Sequence, residues 1–568
     1  MQNTGGNCQF TRRRDARKSC FLFLLLLGIS CPRILAASEE ATPVREADAV
    51  CANCHREIFR TYLATPMAMA SGLAAERLFP GTLLHARSDV EYQISIQEGV
   101  AWLSYRKASD PAIRGREQLD YFLGSGHLGL TYLYQKNNYL LESPIAYYPN
   151  LNTYAMKPGL EKIEHMPGAL TVNATCLRCH MSAVQRPDPG TENRYQGLPF
   201  LHVGITCESC HGDTRAHVST SGAAEVVNPV KLEPAKRDSI CIVCHLEGAT
   251  SVERYGRSVL DFKPGENIAA YISYFSYSSE SNTKRGVSEI EQFNSSKCKR
   301  ATGAEMSCMN CHDPHRFPLP VERVTFYRSK CLACHMQPKY ANNHYASNLD
   351  CVSCHMPKIG AKNIPHVAWT DHRIRQHPDQ AESNAGSVED RTELVPILPD
   401  SSNPRDLALA YYNLTVNGNT EVRARTMALL SAEARLSSDD TAVLRAYGIL
   451  TEWNGDRALS EKLYRAVLNQ DATSLTATTN LGTLLAKSGD LLAAAALWRP
   501  VFTRNEDILG LGENLGTLEC MLGEKDRALD VLKRVLIYSP DMPEIRNRLK
   551  TIESTSQCTK LDEPSAPR

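Results

Sequence analysis

The sequence has few aromatic residues, no excess of charge and no long apolar run after its first 37 residues. Only 7% of its 568 residues are aromatic, and 63 Lys and Arg balance 63 Asp and Glu. Balanced charge excludes a basic nucleic-acid-binding protein and a long acidic tail. A mean hydropathy of -0.33 excludes a protein with many membrane spans. The length predicts several folded domains.

Residues 1–37 are predicted to be a secretory signal peptide. A basic segment, 12–18, precedes an apolar run, 21–30, and the small residues Ala36 and Ala37 follow. The run is too short to span a bilayer comfortably, so cleavage is favoured over an uncleaved anchor. Removal of this segment leaves a net charge of about −5. We therefore expect export to the periplasm or cell envelope, with no transmembrane span in the mature chain.

Fourteen of the 20 cysteines form seven Cys-x-x-Cys pairs, and each pair is followed directly by histidine. The cysteines are Cys51 and Cys54, Cys176 and Cys179, Cys207 and Cys210, Cys241 and Cys244, Cys308 and Cys311, Cys331 and Cys334, and Cys351 and Cys354. The histidines that follow them are His55, His180, His211, His245, His312, His335 and His355.

This spacing predicts covalent attachment of haem c. Two thiols on one face of a helical turn can add to the two vinyl groups of a haem, and the next histidine is then the proximal iron ligand. A disulfide scaffold would not require a histidine after each pair, and zinc ribbons need two pairs for each metal. We predict seven covalently attached haem c groups. Cys298, Cys520 and Cys558 are expected to be isolated thiols.

The motifs lie so close together that the haems must form much of the core. Seven motifs fall within residues 51–355. We expect a haem domain over 38–375 with little regular structure, made of short helices and loops around closely packed redox centres. Such packing is typical of an electron conduit.

Ten histidines outside the motifs could supply the second axial ligand, which decides whether a haem carries electrons or binds substrate. His217 and His315 lie too near their own proximal histidines to reach the opposite face of the same haem easily, so each is better placed to serve a neighbour. Met67 and Met69 could ligate the first haem, although core packing is the favoured role. His377 is expected to be exposed. The distal candidates are His85, His127, His217, His315, His344, His366 and His372.

The motifs together resemble a family. The seven Cys-x-x-Cys-His motifs and the segments 204–212, 311–315, 354–358 and 370–374 are similar to exported multihaem c-type cytochromes. That superfamily includes the tetrahaem cytochrome of nitrifiers, pentahaem nitrite reductase and hydroxylamine oxidoreductase. The resemblance covers roughly 48–375 and implies mostly bis-histidine haems. It also implies distal ligands at His217, His315, His344 and His372.

One departure from that superfamily bears on activity. Its nitrite and tetrathionate reductases typically carry a Cys-x-x-Cys-Lys motif, and this sequence has none. The absence argues against those two activities.

The stretch between the first two motifs is predicted to contain a small β-hairpin insertion, about 85–150. Apolar and polar residues alternate over 90–96, a turn is expected at Glu98-Gly99, and a second strand continues to Tyr105. A second hairpin is predicted around residues 130–142. We favour the view that this insertion covers a haem edge. Alternatively, it could supply haem ligands or form a docking face.

The C-terminal third repeats every 34 residues. Gly448, Gly482 and Gly516 recur in register, which is similar to the tetratricopeptide repeat. We predict a linker over 376–403, a repeat domain over 404–556 and a disordered tail over 557–568. Clear repeats are expected at 441–474, 475–508 and 509–542, after a degenerate one from about 404 and before a capping helix at 544–554.

The predicted fold is therefore mainly α: a multihaem cytochrome c domain followed by an α-solenoid. The favoured function is electron transport by an exported heptahaem cytochrome, which is not itself an enzyme. Its redox partner proteins would dock on the repeats or on an exposed haem edge, although the repeats could instead pack on the haem domain. The alternative is an oxidoreductase acting on a small nitrogen or sulfur compound at one five-coordinate haem.

Overall fold

The computed structural model describes residues 41–278, 286–335, 350–360, 366–375, 391–399, 403–437 and 439–555. All of them belong to one compact unit, Glu40–Arg568. The predicted signal peptide and the predicted tail lie outside the described residues. No described helix is long and apolar enough to cross a membrane.

The strands lie in the first 400 residues. They are β1 Thr42–Pro43, β2 Ser71–Leu73, β3 Gly81–His85, β4 Val90–Gln97, β5 Val100–Lys107, β6 Arg114–Leu119, β7 Tyr121–Leu123, β8 Thr131–Lys136, β9 Tyr139–Glu142, β10 Ile145–Tyr148, β11 Thr153–Met156, β12 Leu170–Thr171, β13 Met181–Val184, β14 Phe200–Val203, β15 Thr250–Glu253, β16 Ile272–Tyr277, β17 Lys358–Gly360, β18 Ala368–Thr370 and β19 Leu394–Pro396.

The helices are short before residue 400 and longer after it. They are α1 Val44–Ala47, α2 Ala52–Tyr62, α3 Ala174–Leu177, α4 Glu208–His211, α5 Arg215–Ser219, α6 Pro234–His245, α7 Glu289–Ser295, α8 Lys297–Thr302, α9 Arg323–Leu332, α10 Cys351–His355, α11 Pro404–Val416, α12 Arg423–Leu436, α13 Thr441–Trp453, α14 Arg457–Gln470, α15 Leu475–Ser488, α16 Leu491–Arg504, α17 Leu509–Met521, α18 Lys525–Tyr538 and α19 Pro543–Thr555.

The region between the first two motifs is a β-structure larger than the predicted hairpin insertion. The β4–β5 hairpin is present, with its tight turn at Glu98 and Gly99, both at positive φ. It is the centre of a four-stranded antiparallel sheet in the order β3-β4-β5-β6. A second, five-stranded sheet has the order β12-β9-β8-β7-β2. The expectation of a small insertion in a domain with little regular structure was wrong for this region.

An apolar core lies between these two sheets. Alternate residues of β4 (Val90, Tyr92 and Ile94) are at most 1% exposed, and they pack with Tyr132 and Leu141 of the other sheet. The period of two places one face of β4 in the core and leaves the other partly exposed. Burial of these side chains holds the two sheets together without help from a cofactor.

The C-terminal helices form antiparallel pairs that follow the 34-residue period. The pairs α13–α14, α15–α16 and α17–α18 begin at Thr441, Leu475 and Leu509. In the second pair, a Cβ on Gly482 would collide with the Trp498 ring. In the same way, a Cβ on Gly448 would collide with the Tyr464 ring, and a Cβ on Gly516 would collide with the Leu532 side chain. Glycine at this position therefore permits the close crossing of the two helices in each pair.

The turns between successive repeats lie against the β-structure. Asn505, in the turn after α16, donates from Nδ2 to the Gly190 carbonyl oxygen at 3.0 Å. Tyr139 of β9 donates its hydroxyl to the Arg504 carbonyl oxygen at 2.7 Å. In the turn after α18, Asp541 pairs with Lys107 at 2.6 Å. One edge of the solenoid is thus fixed to the N-terminal region, as expected if the repeats pack on the haem domain.

The first repeat helix is anchored by a buried carboxylate. Asp406 of α11 is fully buried, accepts a hydrogen bond from Ser273 at 2.7 Å and pairs with Arg254 at 3.0 Å. Arg405 pairs with Asp406 at 2.8 Å and with Asp440 at 2.6 Å. Part of the predicted linker also joins this region, because β19 pairs with β16.

We expect Asp406→Ala to lower the free energy of unfolding by about 3–5 kcal/mol, because it leaves two buried guanidinium groups without their common carboxylate. Asp530→Ala is the matched control, since Asp530 pairs with Arg534 at the surface with its side chain 67% exposed. Asp530→Ala should lower the free energy of unfolding by at most about 0.5 kcal/mol. Denaturant unfolding of the full chain measures both; equal losses would contradict the anchoring role.

A second buried carboxyl group predicts a pH dependence. Asp507, in the turn after α16, is 5% exposed, and one of its carboxylate oxygens has no hydrogen-bond partner. Burial raises its pKa to about 6 from 3.8. A raised pKa means that the folded state binds the proton more tightly than the unfolded state does. The stability given by the neutral group is present below about pH 4 and is lost as the pH rises through about 6.

Asp507→Asn removes this titration. We expect the variant to gain stability over the native chain as the pH rises from 4 to 8, by about 3 kcal/mol in total. Denaturant unfolding of both proteins across that range measures the difference between them. A difference that does not change with pH would show that Asp507 does not titrate in this window.

Candidate functional site

The seven Cys-x-x-Cys-His motifs, numbered here as sites 1 to 7 in chain order, lie on short helical turns. Site 1 begins at the start of α2, site 3 coincides with α4, site 4 ends α6 and site 7 is α10. The backbone N–H groups of His55, His211 and His312 donate to the carbonyl oxygen of the first cysteine in their motifs at 2.8, 2.9 and 2.9 Å. This bond closes one turn and places both thiols and the histidine in one short segment.

The motif cysteines do not form disulfides. All fourteen are free thiols. Within the described ranges, the one group of possible metal ligands is Asp48, Cys51 and Cys207, with ligand atoms within 4.8 Å of one another. A zinc ribbon needs four cysteine or histidine ligands for each metal. Neither a disulfide scaffold nor a set of zinc ribbons fits this arrangement.

Three pairs of histidine rings lie opposite each other at similar distances. In each pair one ring belongs to a motif, and the other comes from a segment that follows a different motif. Centroid distances and interplanar angles are 6.3 Å and 13° for His55 and His217, 5.9 Å and 7° for His211 and His315, and 6.2 Å and 31° for His312 and His372.

These distances fit two imidazoles on opposite sides of one metal ion. Metal–imidazole bonds are about 2 Å long, so two rings bound in line have centroids roughly 6 Å apart. Rings in direct stacking contact would be closer. The residues of sites 1, 3 and 5 therefore fit a haem iron with two histidine ligands.

Backbone carbonyl groups orient one ring of each pair. The Nδ1 atoms of His217, His211 and His372 donate to the carbonyl oxygens of Ala224, Val227 and Thr370 at 2.7, 2.8 and 2.9 Å. A carbonyl oxygen can only accept, so Nδ1 carries the proton and Nε2 has the free lone pair that a metal requires.

Burial keeps several of these histidines neutral. It lowers the pKa of His312 to about 4, with smaller contributions from His372 and His245. It also lowers the pKa values of His180 and His315. Only the neutral imidazole binds a metal. These rings are thus in the ligating form at neutral pH.

Apolar surface and open volume surround site 1. Val50 precedes Cys51, Ile58 lies on the same helix as His55, and Val218 follows His217; they are 44%, 45% and 40% exposed. A cavity of about 350 Å³ is lined by Cys51, Val218, Thr206 and other residues of this region. An apolar macrocycle would cover such side chains.

Interactions between motif cysteines show which sites are neighbours. One thiol shifts the pKa of the other in the pairs Cys51 and Cys207, Cys179 and Cys244, Cys241 and Cys308, and Cys331 and Cys351. The sulfur atoms of Cys51 and Cys207 lie within 4.8 Å of each other. These pairs connect site 1 with 3, site 2 with 4, site 4 with 5 and site 6 with 7.

Electrostatic interactions extend the same series. The pKa of Cys241 is raised by its hydrogen bond to Cys308, by burial and, to a smaller extent, by Cys210 of site 3. The pKa of Cys311 in site 5 is raised by burial, with a smaller contribution from Cys334 of site 6. The neighbouring sites therefore run 1-3-4-5-6-7, with site 2 beside site 4.

The other distal candidates are not brought opposite a motif histidine. His85 lies in β3, with Nδ1 2.8 Å from Ser88 Oγ and Nε2 3.2 Å from the Glu161 carbonyl oxygen, so both ring nitrogens are occupied. His127 packs on Phe317 at 5.6 Å and His366 on Tyr148 at 5.3 Å. His344 lies outside the described residues.

The remaining histidines and methionines have other surroundings. His165 lies 3.8 Å from Asp541 with its side chain 54% exposed, and Met67 packs beside Tyr62. Met69 Sδ accepts from Arg77 at 3.3 Å. His377 lies outside the described residues. Among the residues that the structure describes, no histidine ring pairs with His180 or His245.

Sequence reasoning missed two residues beside sites 1 and 3. Asp48 is 4% exposed and accepts a hydrogen bond from the backbone N–H of Cys207 at 2.8 Å. Burial raises its pKa. The Nδ1 atom of His202 is buried without a hydrogen-bond partner, and both residues line the cavity near site 1. No sequence motif marks either residue.

Residues 148–212 match the model of a protein family, cytochrome c554 and c-prime. The matched segment contains sites 2 and 3. The match covers 65 of the 568 residues. No curated protein matches the chain.

Several solved structures match the chain, each over 27% of its length. MamA (AMB-1) is 19% identical, with 82% of that chain covered and a TM-score of 0.25. YrrB, titled a TPR protein with an unusual peptide-binding site, is 16% identical, with 79% covered and a TM-score of 0.24. PilF of Pseudomonas aeruginosa is 14% identical, with 72% covered and a TM-score of 0.25.

We expect His372→Ala to remove one axial ligand from site 5. One iron of the purified protein should change from low spin to high spin, which electron paramagnetic resonance of the frozen oxidised protein detects. His165→Ala is the control, since that ring lies opposite no motif histidine. An unchanged spectrum in His372→Ala, or the same change in the control, would exclude His372 from the ligand set.

Proposed function

We propose that this protein is an exported heptahaem c-type cytochrome that carries electrons, with a helical repeat domain for contacts with other proteins. The observation that carries the proposal is the set of three histidine pairs at 5.9–6.3 Å. Haem c, when bound, supplies a one-electron redox centre.

The chain holds each haem in two ways. The two cysteines of a motif form thioether bonds to the vinyl groups, and the following histidine is the proximal ligand. His217, His315 and His372 would supply the second histidine ligand at sites 1, 3 and 5. Two histidines leave no position for a substrate at these three irons, so an electron-carrying role is favoured there.

The adjacency of the sites supports a continuous conduit. Interactions between motif cysteines link sites 1 and 3, 2 and 4, 4 and 5, and 6 and 7, and weaker electrostatic interactions link sites 3 and 4 and sites 5 and 6. Since each cysteine would be bonded to the edge of its haem, neighbouring cysteines would bring two haem edges close together. Site 4 has three neighbouring sites, and site 2 forms a short branch from it.

An oxidoreductase acting on a small nitrogen or sulfur compound is the second candidate. It is favoured by sites 2 and 4, because no histidine ring of the described residues pairs with His180 or His245. An iron with one open position at either site would permit substrate chemistry.

The repeat domain offers one edge for partners. The turns between repeats lie on the β-structure, so the opposite ends of the same helices point away from it. Trp453, Leu492 and Met521 lie at those ends and are 49%, 71% and 51% exposed. We propose that redox partner proteins dock along this edge or at an exposed haem edge.

The purified mature protein is expected to carry seven haems, measured by intact mass under denaturing conditions. All irons should be low spin, and the reduced protein should bind no carbon monoxide. Carbon monoxide binding together with turnover of a nitrogen or sulfur compound would establish the second candidate. A mass with fewer haems, or with zinc, would contradict both.

A further inference from the structure

One arginine lies inside a Cys-x-x-Cys-His motif and contacts a second motif. Arg178 is the residue before Cys179 in site 2, and Val243 is the residue before Cys244 in site 4. The Nε atom of Arg178 donates to the Val243 carbonyl oxygen at 3.1 Å. In the opposite direction, the Cys244 thiol donates to the Arg178 carbonyl oxygen at 3.7 Å. Sites 2 and 4 are therefore in direct contact at matching positions of their motifs.

The guanidinium group of Arg178 lies near the cysteines of both sites. The pKa of Cys179 is lowered to about 7, chiefly by Cys244 and also by the charge of Arg178. The Glu247 carboxylate acts on Cys179 in the opposite direction and more weakly than Arg178. Cys179 and burial raise the pKa of Cys244, and Arg178 acts against both. One positive charge thus influences a cysteine of each site.

No ion pair offsets this charge in the part of the chain that the structure describes. The guanidinium donates to two backbone carbonyl oxygens, those of Val243 and, at 2.9 Å from Nη1, Thr175, and a carbonyl group has no net charge. No described Asp or Glu pairs with Arg178. Glu142, which lies near Cys176 of site 2, is itself paired with Lys157.

The surroundings of the guanidinium strengthen its electrostatic effect. Arg178 is partly buried, and Tyr274 beside it is fully buried. Burial raises the pKa of Tyr274 to about 12, and the charge of Arg178 acts in the opposite direction. Charges interact more strongly where water is excluded, because the effective dielectric constant is lower there. The charge therefore acts on groups beyond its direct contacts.

We infer that Arg178 raises the reduction potentials of the haems at sites 2 and 4, so that electrons collect at this branch of the conduit. This inference rests on the proposed function. Thioether bonds at Cys179 and Cys244 would place an edge of each haem beside the guanidinium group. Reduction of an iron from Fe(III) to Fe(II) takes one electron from a redox partner protein and makes the site more negative by one charge. A fixed positive charge stabilises that reduced state.

The position of sites 2 and 4 gives the raised potentials a role. Site 4 lies within the series of sites from 1 to 7, and the interactions described above link site 2 to site 4. An electron at site 2 would leave through site 4. A branch of higher potential would therefore hold electrons between their arrival from one partner and their delivery to the next.

Redox titration of the full-length holoprotein, followed at the haem absorption bands, tests the inference. Arg178→Gln removes the charge and keeps a side-chain N–H donor, and Arg178→Met removes the charge and keeps most of the side-chain length. In both neutral variants we expect two of the seven one-electron components to move to lower potential. At the native midpoint of each, the ratio of oxidised to reduced haem should rise about tenfold, a shift of about 59 mV.

Two further variants are the controls. Arg178→Lys keeps the positive charge at this position. Arg186→Gln removes an arginine of the same region whose charge is balanced, since Arg186 pairs with Asp261 at 2.8 Å and its side chain is 59% exposed. All seven midpoints should stay near their native values in both controls. A shift in Arg178→Lys as large as in Arg178→Gln, or an equal shift in Arg186→Gln, would contradict the role of the Arg178 charge.

The number of haems, measured by intact mass, separates this inference from the proposed function. Seven haems with unmoved midpoints in the neutral variants would overturn the inference and leave the proposed function standing. A native protein with fewer than seven haems would overturn both. Loss of a haem from both neutral variants would show a structural role for Arg178 in place of the electrostatic one.

Discussion

The protein depends on one geometric constraint of haem ligation. A single Cys-x-x-Cys-His turn supplies two thiols and one histidine, but it cannot reach the opposite face of the same haem. The second ligand must come from another segment. In this chain, His217 follows site 3 and lies opposite His55 of site 1, and the same relation links sites 3 and 5 to later segments. Where these pairs ligate haem, as we propose, they would tie successive parts of the chain together and couple haem binding to the folding of this region.

The repeat domain is subject to a different constraint, the burial of its own apolar faces. Its helix pairs close around residues such as Trp498. Its inter-repeat turns contact Tyr139 and Lys107 of the β-structure, and Asp406 of α11 pairs with Arg254. These contacts are polar and specific, so the solenoid is held in a fixed position over the β-sheets. The repeats thus stabilise the N-terminal region along one edge. Their opposite edge makes none of these contacts, and we propose that other proteins bind there.

Much of this architecture could be predicted from local sequence patterns. The Cys-x-x-Cys-His turn and the 34-residue period depend on residues close in sequence, so the helical turns of the motifs and the helix pairs could be predicted. The β-sheets were underestimated because strands such as Arg114–Leu119 are polar and lie at an edge. The opposed histidine rings could not be paired from the sequence, because the two rings of each pair belong to different motif segments, 60 or more positions apart. The number of histidines outside the motifs does not show which of them have a free ring nitrogen. Both ring nitrogens of His85, for example, lie within hydrogen-bonding distance of Ser88 and Glu161.

The most direct test of this account is the position of the irons in a crystal of the holoprotein, located by anomalous diffraction at the iron edge. The account predicts seven iron peaks. One should lie midway between His55 and His217, with corresponding peaks for the pairs of sites 3 and 5. Fewer peaks, or an iron at site 1 whose second axial position is not occupied by His217, would contradict it.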